Sequence, residues 1–222
     1  MVIMYGLIFD LEGIYFSCFR QPTTTSLILS FPFPPFTTIR GFLENALGYK
    51  RDSFALQNEN LLIGIRPLSK IQKVTELAKV LKLISRESKP CFKRTFPSAP
   101  MFRNFLVNPE YRIYLAGKEG LIKKIAEKLE NPSRPLYLGQ SDDFVDVRNV
   151  KILDIEKTKS KEIHSIVEGI YEGCEIIKVP YKFVNKGKDV EMKVISVPKE
   201  FPLHLKKEVE CFKFGGEYVW CV

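Results

Sequence analysis

"YRIYLAGKEGLIKKIAEKLENP", residues 111–132, decides how this chain is laid out. Its first seven residues alternate in the manner of a half-buried strand. From 118 the apolar residues fall at helical spacing until Asn131 and Pro132 stop them, so an amphipathic helix over 118–132 follows directly. Working outward, "LLIGIRPL" at 61–68 reads as a strand ended by Pro67, and "VRNVKILDIEK" at 147–157 as another. "IMYGLIFDLEGIYFSCF" at 3–19 is rich in β-branched and aromatic types and reads as the first strand, with a bend at Gly13. "FPFPPFTTIRGFLENALG" at 31–48 carries a proline-rich approach and then a helix over 38–47, whose Ile39, Phe42, Leu43, Ala46 and Leu47 form one apolar stripe. Gly48 closes it. The order is strand, helix, strand, an insertion, then strand, helix, strand. That predicts an α+β fold containing a ferredoxin-like, RRM-like β-α-β-β-α-β domain. It requires 61–68 and 111–117 to be neighbours in one sheet, with about 70–109 projecting as an insertion.

Within the insertion, "KIQKVTELAKVLKLI" at 70–84 has apolar residues at 71, 74, 77, 78 and 81, a helical pattern, although its valines and threonine also suit a strand. Residues 85–104 read as a basic loop or hairpin with aromatics interleaved. Beyond residue 158 the pattern changes to short apolar stretches punctuated by Pro180, Gly187, Pro198 and Pro202. The expected division is a domain over 1–158 and a smaller, mostly-β region over 159–222. That region could be a hairpin, a small sheet or a degenerate second half of the same fold.

Composition narrows the function classes. The chain has 222 residues, of which 45% are hydrophobic, enough for a sizeable core. No apolar run approaches a membrane span, and the apolar N-terminus reads as a strand rather than a signal peptide. Five scattered cysteines without a CxxC pair, and two histidines, point away from a zinc site or disulfide framework and toward a reducing cytoplasm. No metal or cofactor is expected. Net charge is +8, and residues 61–110 hold 10 Lys and Arg against 3 Asp and Glu. The rest of the chain is close to neutral. A basic segment beside a neutral remainder suggests a polyanion partner, most simply nucleic acid; the plainer alternative is a lysine-rich solvated face.

The helix at 38–47 offers a candidate site. Thr37 or Thr38 can cap it. Thr37, Thr38, Arg40 and Gly41 are then expected at its exposed N-terminal end, where free amides, the positive end of the dipole and a guanidinium suit a phosphate, and a glycine admits a close backbone. The bland alternative is a capped helix with a solvated arginine.

Three stretches taken together resemble a known family: "PPFTTIRGFLENALG" at 34–48, "RNFLVNPEYRIYL" at 103–115 and "RPLYLGQSDDFVDV" at 134–147. They resemble the CRISPR-associated RAMP superfamily, in particular its "Cas-five" family, over about two thirds of the chain. The last 60 residues match only in style, though "FKFGGEYVW" at 212–220 is similar to that family's glycine-containing C-terminal strand. The resemblance implies a subunit of a type I, Cascade-type complex that binds the 5′ tag of CRISPR RNA. It would abut the backbone RAMP subunit and lie near the large subunit and target DNA. Most members bind RNA without cutting it; one branch cuts precursor RNA with a tyrosine, lysine and histidine.

On that basis the expected RNA ligands are Thr37, Thr38, Arg40 and Gly41. To these are added the turn Gly139, Gln140 and Ser141, and a basic arm of Lys93, Arg94 and Arg103 near Phe92, Phe96 and Phe102. Arg20 would reach the same groove from the end of the first strand. The turn has an ordinary structural alternative, and the phenylalanines are expected in the core. A metal-independent endoribonuclease is the runner-up, but no catalytic residue is assigned: the two histidines, His164 and His204, lie away from the three stretches and read as surface or boundary residues, and the cutting branch's tyrosine has no clear match after the first strand. "SDDF" at 141–144 offers paired carboxylates without a further acidic cluster, and a phosphate-cradling GxxxxGK(S/T) motif is absent.

Overall fold

The structure is a computed structural model, and it describes residues 4–23, 27–81 and 98–222. Among the described residues it is α+β, with two α-helices and mostly antiparallel sheets. Strand β1 (Met4–Gly13) turns Leu7, Phe9 and Leu11 inward at alternate positions. The short strands β2 (Phe16–Ser17) and β3 (Leu27–Ile28) follow, then helix α1 (Phe36–Ala46), β4 (Leu62–Pro67), β5 (Lys73–Leu81), β6 (Ser98–Val107), β7 (Glu110–Gly117) and helix α2 (Glu119–Glu130). The remaining strands are β8 (Val145–Ile163), β9 (Val167–Glu168), β10 (Cys174–Val184), β11 (Asp189–Pro198), β12 (Leu203–Phe214) and β13 (Glu217–Val219).

The principal sheet has the order β13-β12-β8-β1-β7-β4, every neighbouring pair antiparallel. Strands 62–67 and 110–117 are neighbours, as the sequence requires. Both helices lay their apolar stripes on one face of this sheet. Ile39, Phe42, Leu43 and Ala46 of α1 and Ile122, Ile125 and Leu129 of α2 meet Leu7, Phe9, Ile63, Ile65, Ile113 and Leu115 in one core. The opposite face carries a smaller cluster around Tyr114, Phe212 and Phe214. No helix among the described residues is long and apolar enough to cross a membrane.

The described part of the insertion is a pair of antiparallel strands, β5 and β6. Residues 73–81, whose spacing suggested a helix, pair with β6 from Lys73–Leu106 to Leu81–Ser98. Val74 and Leu77 are 48% and 64% exposed, so the helical spacing had no core to face. A short segment without a buried stripe gains little as a helix, whereas pairing along a whole strand satisfies its backbone. On its other edge β6 pairs with β2 and, in parallel, with β3.

The expected boundary at 158 falls inside β8, a strand of 19 residues. The chain beyond it serves two sheets. β12 and β13 extend the principal sheet, while β9, β10 and β11 form a three-stranded sheet of their own. Val179, Ile195 and Val197 of the small sheet join the main core, and Phe36 of α1 meets Tyr181 and Trp220 edge-on at 6.1 and 6.3 Å. α1 is thereby held between the principal sheet and β10.

Candidate nucleic-acid interface

Helix α1 begins two residues earlier than the 38–47 expected from its threonines. Pro35 occupies the N-cap, no side chain caps the helix and no acidic residue stands in its first turn. Thr37 and Thr38 therefore lie inside the first turn rather than before it, and the positive end of the dipole is left uncompensated. A cleft of about 530 Å³ opens beside this end. Thr37, Thr38 and Gly41 form its helical wall, and Gly139 and Ser141 stand across from them. Five of the residues predicted from sequence thus share one cavity.

Arg40 does not. It is 3% exposed, so the expectation of a guanidinium at the helix mouth is corrected. The register of α1 turns Arg40 toward the interior, where it donates to the carbonyls of Leu56 (3.3 Å) and Leu61 (3.2 Å) and lies 5.9 Å from the Tyr181 ring centroid. Burial pushes its pKa down, opposed by Tyr181 and Glu44. One helical turn on, Glu44 accepts from the amide of Leu56 (2.8 Å) and from the Ser53 hydroxyl (3.0 Å). Arg40 and Glu44 thus clamp Leu56 from both its polar groups and fasten the loop that makes the second wall of the cleft.

That loop supplies Tyr49, Lys50, Arg51, Phe54 and Gln57. Phe54 adopts a left-handed conformation, φ 50°, which is strained for a bulky residue, and its ring lies 5.5 Å from that of Phe183. Arg134 and Tyr137 close the third side. Arg134 donates to the carbonyls of Tyr49 (2.7 Å) and Gly48 (3.3 Å), and Asn45 donates to the carbonyl of Pro135 (2.8 Å), so this wall too is tied to the helix. Lys50, Arg51 and Arg134 are exposed at the rim. Of the two carboxylates present, Glu44 is committed to the clamp and Asp52 lies 3.6 Å from Arg51.

The 137–144 turn is a closed loop: Tyr137 bridges Phe144, and Leu138 donates to the Asp143 carbonyl at 2.9 Å. Gly139 has φ +102°, which strains any other residue, and a Cβ there would stand a tight 3.0 Å from the Cys18 carbonyl oxygen. Asp143 is buried and accepts from the Cys18 amide at 2.8 Å; burial raises its pKa, opposed by the Cys18 and Gln140 amides. Its carboxylate is therefore used inside the protein, and the paired carboxylates of 142–143 do not face one way. No group of three or more His, Cys, Asp or Glu is placed to hold a metal among the described residues.

Arg103 joins β6 to this turn. It donates to Gln140 Oε1 at 3.0 Å and its guanidinium lies 4.2 Å over the Phe105 ring. Gln140 is thereby engaged by the protein. Arg20 is exposed and bridges Ser30 away from the cleft lining. Lys93 and Arg94, with Phe92 and Phe96, lie outside the described residues, whereas Phe102 is 54% exposed on β6. His164 accepts from the Tyr218 amide at 3.1 Å and lies 3.4 Å from Glu162, while His204 is exposed on β12; neither lines the cleft. Sequence reasoning passed over Lys50, Arg51, Phe54, Gln57 and Phe183. Arg134 and Tyr137 were within the quoted 134–147 stretch, but only contact with α1 distinguishes them there.

Comparison with known proteins agrees with the family resemblance. A family model described as CRISPR-associated protein (Cas_Cas5) matches residues 6–172. No curated protein matches the chain. Among solved structures, the fold is similar to a chain of a "CRISPR RNA-guided surveillance complex", with a TM-score of 0.59 and 16% identity over 89% of this chain and 91% of that one. It is also similar to a CRISPR protein from Archaeoglobus fulgidus, with a TM-score of 0.57 and 15% identity over 97% and 98%. These likenesses speak to fold; the family rests on the match across most of the sequence. This chain belongs to the CRISPR-associated Cas5 family.

Proposed function

We propose that the protein is a non-catalytic, RNA-binding subunit of a type I CRISPR effector complex of the Cascade kind, and that the cleft beside α1 holds the 5′ tag of CRISPR RNA. We read the strand order β8-β1-β7-β4, with both helices on one face, as the ferredoxin-like arrangement. The Thr37 amide and the threonine hydroxyls of α1 meet phosphate oxygens, with Lys50, Arg51 and Arg134 as counter-charges. Tyr49, Phe54, Tyr137 and Phe183 offer half-buried ring faces for unstacked bases. Such binding requires no metal or cofactor. The partners on this reading are CRISPR RNA, the backbone RAMP subunit and the large subunit, with target DNA nearby.

The observation that carries the reading is Gly41. It lies within α1, its φ is ordinary, and a Cβ added there would meet nothing within 4 Å. The fold does not ask for a glycine, which costs about 1 kcal/mol relative to alanine inside a helix. Its bare backbone faces the cleft, where a sugar–phosphate chain would need the room.

The test is fluorescence anisotropy with labelled repeat-derived RNA in the absence of metal. Wild type is expected to bind and leave the RNA intact. Gly41→Ala is expected to be more stable by about 1 kcal/mol yet to bind at least several-fold more weakly. Undiminished binding by Gly41→Ala would remove the cleft from the argument. Cleavage that disappears in His164→Ala or His204→Ala would replace a binder with an endoribonuclease.

A further inference from the structure

We propose that Gln57 reads the edge of one base in the strand held by the cleft, an inference that rests on the cleft being the RNA site. Gln57 is 7% exposed and stands in the cleft wall, and its Oε1 has no hydrogen-bond partner. Native proteins rarely leave a buried side-chain acceptor unpaired, and such an atom calls for an explanation.

The position is built rather than slack. The Gln57 amide donates to the Phe54 carbonyl at 3.1 Å, and the preceding residue, Leu56, is gripped by Arg40 through its carbonyl and by Glu44 through its amide. The backbone therefore presents this side chain at a fixed place. Beside it, the rings of Phe54 and Phe183 lie 5.5 Å apart, and both line the same cavity. An aromatic surface is where an unstacked base settles, and the base then turns its hydrogen-bonding edge toward the wall.

The chemistry of the carboxamide selects a base over the rest of the nucleotide. It carries one acceptor and one donor group, and its last torsion is two-fold, so either end turns toward the ligand. A phosphate supplies acceptors only and would leave Oε1 unpaired. A base edge places an N–H beside a ring or carbonyl acceptor and satisfies both ends at once, as glutamine does when it pairs with adenine.

The experiment uses the full chain and a set of short single-stranded RNAs derived from the repeat of its own locus, each position in turn carrying each of the four bases. Wild type is expected to discriminate at one position by about 5- to 150-fold. Gln57→Met keeps the length of the side chain and removes its polar atoms. It is expected to flatten discrimination at that position alone and to unfold at the same urea concentration or a higher one. A purely structural glutamine would instead lower the urea midpoint and weaken every RNA alike, which would overturn the inference. So would a Gln57→Met protein with the wild-type pattern at all positions. In both cases the cleft reading survives, because RNA still binds; a wild type that binds none of the RNAs removes both. Should Gln57→Met not fold, Gln57→Asn, one methylene shorter, must give the same flattening.

Discussion

Arg40 offers the sharpest test of how this cleft is made. Its guanidinium donates two hydrogen bonds, at 3.3 and 3.2 Å, to the carbonyls of Leu56 and Leu61, and both of those residues are 1% exposed. Hydrogen bonds from a charged donor contribute about 1.5–3 kcal/mol each. The lower end applies, because the cation is desolvated and its Nε has no partner. Replacement by methionine, which keeps much of the volume, leaves two buried carbonyls unpaired and is expected to cost about 3 kcal/mol. Arg40→Lys is expected to recover about half of that, since one ammonium does not span two carbonyls as a fork does. Urea unfolding followed by circular dichroism reads these values, and RNA affinity across a salt series is measured on the same proteins below their transitions. If Arg40→Met unfolds with the wild-type midpoint while its affinity drops tenfold and its salt slope falls by about one, Arg40 is a phosphate ligand and the clamp is wrong.

Two further outcomes follow from the geometry. Gly139→Ala forces a side chain into a positive φ and against the Cys18 carbonyl, so a loss of about 1–3 kcal/mol is expected in thermal or urea unfolding, together with weaker RNA binding. The second outcome concerns acid. Burial would raise the pKa of Asp10, but the hydrogen bonds from Arg112 (2.8 and 3.0 Å) and Asn149 (2.8 Å) outweigh it and hold the carboxyl below its usual value. The stability this provides is present above the unfolded carboxyl pKa of about 4 and is lost as pH falls through the lower folded value. Asp10→Asn is therefore expected to be less stable at pH 7 and to show a shallower loss below pH ~4; an unchanged acid limb would mean that the Asp10–Arg112 pair does not govern it.

The sequence by itself determined the elements whose signal is local. The strand and helix of 111–132, the stripe of α1 and the glycine turn at 139 are written in neighbours a few residues apart, and their period or backbone demand survives any tertiary context. The three motif stretches named the family for a related reason: each is a contiguous string. Tertiary structure decided everything that depends on what lies opposite a residue. Residues 73–81 became a strand because β6 was there to pair with and no core was there to face. The region after 158 was divided between two sheets because β8 runs on and offers an edge to β12. Arg40 carried the same information as any arginine in a first turn; only the carbonyls brought to it from 16 and 21 residues away turned it from a surface charge into the clamp of a wall. Gln57 had no signal at all in the chain, since a glutamine shows its unpaired oxygen only when the residues that fail to satisfy it have been folded around it.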